Sequence, residues 1–174
     1  MENKILVAYA STHGSTQEVA EVIATTLRER GLAVDVQPSR NVRTLDGYNA
    51  VVLGAPLYMF HWHKDAPHFL SQHQRVLISG LPIAIFAGGP FGSGDEKEWQ
   101  EVRGQLDREL AKFPWLSPIA VEVIGGRFDP TKLRLPYSLL PALRQMPASD
   151  LRDWATIRTW ASNLAEKLQP VVSH

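Results

Sequence analysis

The 174-residue sequence predicts an α/β fold: a doubly wound sheet of five parallel strands in the order 2-1-3-4-5, with helices on both faces. Three observations lead there. Short continuous apolar runs of strand length alternate with longer segments whose apolar residues recur every three or four positions. Each strand-like run is followed by a helix-like one, and such alternation calls for parallel strands joined by right-handed crossovers. The length suits one core, because a second would need on the order of 100 residues more, so residues 1–174 are expected to form one domain.

The elements follow in order. Ile5-Leu6-Val7-Ala8-Tyr9 is too short for a helix and rich enough in branched and aromatic residues for a buried strand. Val19, Val22, Ile23 and Leu27 mark one helix face, which ends in Arg28, Arg30 and Gly31, the charges and glycine that a helix C-terminus favours. Ala33 to Val36 and Ala50 to Leu53 read as strands two and three, the latter bounded by Gly54 and Pro56. Asp65 is placed to cap a helix carrying Phe69, Leu70, Val76 and Leu77, with Pro67 tolerated in its first turn. Pro82 to Phe86 is strand four, and Trp99, Val102, Leu106, Leu110 and Phe113 line the next helix. Ile119 to Ile124 is strand five, and a last helix after Asp150 carries Trp154, Ile157, Ala161, Leu164 and Leu168 on one stripe. Two segments break this regularity: a Gly/Pro/Ser-rich loop at Gly88 to Gly94, and an insert at about 126–149 between strand five and the last helix.

Composition removes several function classes. Eighteen basic and eighteen acidic side chains give formal neutrality, so no global charge draws the chain to nucleic acid. With no cysteine, disulfides, thiolate catalysis and iron-sulfur clusters are excluded, and redox chemistry needs a bound cofactor. The opening Met-Glu-Asn-Lys runs straight into a strand-like stretch, which predicts a cytoplasmic protein. No apolar run approaches the ~20 residues of a membrane span, and peripheral contact at the inner membrane face stays open.

Between the first strand and first helix lies Ser11-Thr12-His13-Gly14-Ser15-Thr16. At a helix N-terminus the first amides lack partners and the dipole is positive, so a phosphate is well matched there. The serine and threonine hydroxyls add donors, and Gly14 lets the backbone turn closely around the oxygens. The loop has neither the Gly-Lys-Ser/Thr ending of a nucleoside triphosphatase nor the spaced glycines of a dinucleotide fingerprint. The competing explanation is a hydroxyl-rich turn that only caps its helix.

In an open parallel sheet the binding crevice lies beyond the carboxyl ends of the strands, where their order reverses. The loop after strand three, including Pro56, Leu57, Tyr58, Met59 and Phe60, should wall it. Tyr58, Phe60 and Trp62 are placed either to stack on a planar ligand or to pack within the domain. Ala87, Gly88, Gly89, Pro90 and Phe91, after strand four, are small enough overall for backbone to reach the other ligand edge, or they form an ordinary connection.

Together these loops resemble the flavodoxin superfamily, whose first loop commonly reads Ser/Thr-x-Thr-Gly-x-Thr. Ser11, His13, Gly14 and Thr16 stand at matching positions, with His13 in place of the usual central threonine. Gly54-Ala55 with His61 and His63, Gly125-Gly126 before a long insert, and Asp153-Trp154 at the last helix are similar to the branch of menaquinone-dependent protoporphyrinogen dehydrogenases. The resemblance implies FMN held by the three loops, and removal of hydrogen from protoporphyrinogen IX with electrons passed to a quinone. Arg127, Lys132 and Arg134 of the insert are placed to receive substrate carboxylates such as porphyrin propionates, against a solvated loop as the plain alternative.

Two function classes then compete. One is a flavin oxidoreductase with its own organic substrate, in which His61 or His63 assists proton transfer. The other is a small carrier that passes electrons to a protein acceptor, although a neutral chain lacks the single-sign field that steers such docking. No metal is expected, because the i, i+4 histidine pair of a zinc helix is absent. Leu133, Leu135, Leu139, Leu140 and Leu143 of the insert cover the core edge or present an apolar face to a quinone or membrane.

Overall fold

The computed structural model describes residues 3–11, 14–58, 61–90, 94–128, 139, 141 and 149–169. Its elements run β1 (Lys4–Tyr9), α1 (Ser15–Glu29), β2 (Ala33–Pro38), a 3-10 turn (Ser39–Asn41), β3 (Ala50–Tyr58) and β4 (His61–Trp62). There follow α2 (Asp65–Gln72), α3 (Gln74–Ile78), β5 (Ile83–Gly88), α4 (Glu96–Leu110), β6 (Ala120–Ile124), β7 (Arg127–Phe128), β8 (Ser149–Asp150) and α5 (Trp154–Leu168). The main path of the sheet is β2-β1-β3-β5-β6, every neighbouring pair parallel. The five parallel strands therefore stand in the expected order, and β4 is an additional short antiparallel partner of β3.

The apolar run of β1 is continuous because both faces of the sheet are covered. Ile5, Val7 and Tyr9 point to one face, against Val19, Ile23 and Leu27 of α1 and Ile157, Ala161 and Leu164 of α5. Leu6 and Ala8 point to the other, against Leu53, Ile85, Phe69 and Leu70, and Leu106 of α4. Each large side chain so buried stabilises the fold by about 1.5–3 kcal/mol.

Four local features depart from the sequence expectation. The third strand runs on to Tyr58 and folds back through β4, so part of the anticipated loop is a hairpin. The helix expected from Asp65 through Leu77 is two helices that meet at His73. Asp65 does not cap: it lies in the first turn, and its own N–H donates to Nδ1 of His63 at 3.2 Å. The insert opens and closes as a ribbon, with Arg127 paired to Asp150 and Phe128 to Ser149. Asp153 does open the last helix, accepting from the Thr156 N–H at 3.2 Å.

His73 is only 5% exposed, lies tilted against Phe69 with 4.5 Å between ring centroids, and leaves Nε2 without a partner among the described residues. Burial holds its pKa below the ordinary 6.5, against a smaller opposing pull from a hydrogen bond to the Val42 backbone. His63 is likewise depressed by burial, with Asp65 opposing. The fold thus prefers neutral imidazole, so their stabilisation is complete above pH 6.5 and lost as pH falls through that value toward the lower folded pKa. Asp35, Asp150 and Asp153 also have lowered pKa values, but their contribution disappears only below the ordinary 3.8. The melting temperature is expected to fall from about pH 6.5 to 5, and His73→Leu to shrink that fall. An identical profile in the variant would assign the drop elsewhere.

Candidate functional site

β1 delivers the chain to Tyr9 and α1 begins at Ser15. Just before the helix Gly14 adopts φ 86° and ψ −11°, a left-handed conformation that a β-carbon disfavours. The Gly14 N–H donates to Ser11 Oγ at 2.8 Å, which closes the turn. The Glu18 N–H reaches the Gly14 carbonyl at 3.1 Å, so the amides of Ser15, Thr16 and Gln17 have no acceptor within the helix. Among the described residues no side chain caps them. Thr16 is 4% exposed, and its hydroxyl lies against Gly88, 3.9 Å from where a Cβ on that glycine would sit. Thr12 and His13 lie outside the described residues.

The ends of β3 and β5 adjoin this turn. Pro56 and Gly88 are cross-strand partners, and the Pro56 carbonyl accepts from the His63 N–H at 3.0 Å. The side chain of Leu57 packs into the core shared by α2 and α4 and leaves only backbone toward the strand ends. Trp62 takes the packing alternative: it is 2% exposed and its indole N–H donates to the Ala55 carbonyl at 3.1 Å. Tyr58 ends β3, whereas Met59, Phe60 and Phe91 lie outside the described residues. Ala87 and Gly88 belong to β5, and the Gly89 amide is committed to the Ile124 carbonyl at 3.0 Å. Of the backbone donors anticipated there, Gly89 is thereby taken.

His61 is exposed on β4, and His63 is partly buried at the start of α2. With its pKa lowered mainly by burial, His63 is neutral at pH 7. Arg127 of β7 turns toward α1, its guanidinium 3.6 Å from Glu18; Lys132 and Arg134 lie outside the described residues. Among the described residues no group of three His, Asp or Glu side chains is arranged to hold a metal ion. Nor, among them, is any helix long and apolar enough to cross a membrane.

A residue not singled out from the sequence stands at the centre of this region. The Arg152 side chain is 4% exposed. Its Nε and Nη2 donate to the two carboxylate oxygens of Asp150 at 2.9 and 2.8 Å. Nη1 donates to Glu18 at 3.1 Å and to the Ser15 carbonyl at 3.2 Å. The guanidinium also lies 4.7 Å from the centre of the Trp154 ring. Asp150 is held below the usual carboxylate range first by that pairing. A local signal was present, since in extended chain residues two apart share a face, and Asp150 and Arg152 have that spacing.

The order of the strands and the helices on both faces define a doubly wound protein of the flavodoxin fold. The chain belongs to the flavodoxin-domain family, whose model matches residues 6–136. Oxidised flavodoxin 1 from Bacillus cereus superposes with a TM-score of 0.59 at 16% identity, over 98% of this chain and 100% of that one. A flavodoxin from the domain Archaea gives 0.55 at 17% identity, over 95% and 98%. In sequence, the chain is 26% identical over 125 residues to the protoporphyrinogen IX dehydrogenase [quinone] of Escherichia coli K12, 71% of this chain and 68% of that one. It is 27% identical over 95 residues to the probable flavodoxin 1 of Bacillus subtilis 168, 51% and 58% of the two chains. Membership of this family implies a capacity for FMN and a part in oxidation and reduction.

Proposed function

We propose that the chain holds FMN at the carboxyl end of its sheet and is an oxidoreductase that takes hydrogen from an organic substrate and delivers electrons to a quinone. The observation that carries the cofactor reading is the start of α1, where three amides lack helical acceptors behind a left-handed Gly14. They would hold the phosphate, with the Ser11 and Thr16 hydroxyls beside them, which explains why the loop needs no lysine. Pro56, Gly88 and the backbone of Leu57 and Tyr58 would form the adjoining wall. Met59, Phe60, Ala87, Gly89, Pro90, Phe91, Thr12, His13 and Ser15 complete the proposed cofactor contacts. FMN supplies the reversible uptake of electrons and hydrogen when bound.

The enzyme reading is supported by where the insert is rooted. The Gly126 N–H donates to the Pro90 carbonyl at 3.0 Å, and the Leu151 N–H to the Gly126 carbonyl at 2.9 Å. On the other side Arg152 ties the ribbon to α1. Both ends of the insert therefore stand between the phosphate turn and the loop after β5, where a simple carrier has no use for an extra segment. Likeness to the Escherichia coli dehydrogenase favours protoporphyrinogen IX as substrate, with Arg127, Lys132 and Arg134 near its carboxylates. An apolar quinone would be met at the inner membrane face, so the proposal includes a peripheral contact there. His61 or His63 would assist proton transfer beside the flavin.

The purified protein is expected to be yellow and to release FMN on denaturation. Under anaerobic conditions it should convert protoporphyrinogen to the porphyrin with a menaquinone analogue as acceptor. A colourless protein that takes up no added FMN would overturn the cofactor reading. A flavin that is reduced and reoxidised by partner proteins without porphyrin formation would instead mark a carrier, the reading favoured by likeness to the Bacillus subtilis flavodoxin.

A further inference from the structure

We infer that Arg152 is a positioning residue for the phosphate turn, aligning and polarising the peptide unit that presents the Thr16 amide. This rests on the FMN reading above. The carbonyl that receives Arg152 Nη1 is that of Ser15, at 3.2 Å, and this carbonyl and the Thr16 N–H belong to one rigid peptide plane. Fixing the oxygen fixes the direction of the N–H. A charged donor on the oxygen also draws electron density from the nitrogen, which makes the same amide a stronger donor on its far side. Thr16 is the second residue of α1, one of the positions whose amide lacks a helical acceptor.

The surroundings of Arg152 hold it in that task. Asp150 grips Nε and Nη2 as a fork, which leaves Nη1 directed at α1. Glu18 shares Nη1 at 3.1 Å and receives Arg127 at 3.6 Å from its other oxygen. The backbone leaves little play: a Cβ on Gly125 would fall 2.7 Å from the Arg152 nitrogen and still closer to the Leu151 carbonyl. Two cations and two carboxylates balance locally. The guanidinium thus acts chiefly through the Ser15 peptide and not as a free charge beside the phosphate. Its loss also removes the bond that joins the root of the insert to the first turn of α1.

The test compares FMN with riboflavin, which has the same ring and no phosphate, by fluorescence titration of the full chain freed of flavin. The wild-type chain is expected to prefer FMN strongly. In Arg152→Met, FMN affinity should fall roughly tenfold, the scale of one charge-assisted hydrogen bond, while riboflavin affinity stays within about twofold of wild type. Equal weakening of both flavins, or no change in either, overturns the inference and leaves Arg152 a structural tie alone. A wild-type chain that binds both flavins equally would instead overturn the phosphate site itself. If Arg152→Met does not fold, Arg152→Lys decides. Lysine cannot hold both oxygens of Asp150 and the Ser15 carbonyl together, so the FMN-to-riboflavin preference should fall at least threefold, and an unchanged preference overturns the inference.

Discussion

Gly54→Ala is expected to lower the unfolding free energy by about 3 kcal/mol, at the upper end of what overpacking usually costs. Gly54 of β3 stands directly opposite Phe86 of β5. A methyl group there would lie 1.8 Å from Cζ of that ring and 2.2 Å from both Cε atoms. The ring cannot withdraw: Phe86 is 0% exposed and meets Trp160 edge-on, with 6.2 Å between centroids. Relief must come from separating β3 and β5, the strands whose ends carry Pro56 and Gly88 toward the proposed cofactor. The explanation has a signature that a plain propensity effect lacks. Phe86→Leu alone should destabilise by leaving a void, yet in the Gly54→Ala background it should restore part of the loss, giving a coupling energy of opposite sign. Urea unfolding of the four proteins measures it, and strict additivity would remove the ring as the cause.

The same pair shows how far the sequence could be read. Continuous runs such as Ile5 to Tyr9 and Ile83 to Phe86 announced buried strands because both sheet faces are covered. Helical spacing placed α1, α4 and α5 because each lays one stripe on the sheet. Gly54 was readable as a strand boundary, but its need to clear the Phe86 ring depends on a partner strand 32 residues away. Elements of two residues carry no period, so the β4 hairpin and the β7–β8 ribbon left no local trace. The helix break at His73 was hidden because Phe69 and Leu70 before it and Val76 and Leu77 after it continue one apolar stripe. At the candidate site, the strand-to-helix junction located the turn around Gly14. Trp62 was ambiguous until its burial and the indole bond to Ala55 assigned it to packing. Arg152 escaped because its acceptor, the Ser15 carbonyl, lies 137 residues earlier.

Gly14→Val is expected to weaken FMN binding by roughly tenfold or more while the rest of the fold remains, because its cost is conformational and falls on the turn. Among the described residues other than its chain neighbours, no atom lies within 4 Å of a Cβ built at Gly14, so crowding is not the reason. At φ 86° a β-branched side chain is strained whatever the space. The chain escapes that strain by rotating the turn toward negative φ, which breaks the Gly14 N–H bond to Ser11 Oγ and redirects the amides that follow. The body of α1 stays docked, since Val19, Ile23 and Leu27 are buried well beyond the turn. Asparagine, which tolerates the left-handed region, separates this account from one based on bulk: Gly14→Asn should keep most of the FMN affinity. Equal losses in the two variants would make size the cause, and undiminished affinity in both would move the phosphate elsewhere. If Arg152 works through the same peptide units, Gly14→Val combined with Arg152→Met should cost less than the sum of the two. Once the turn has rotated, the Ser15 carbonyl no longer offers Arg152 an amide worth aligning.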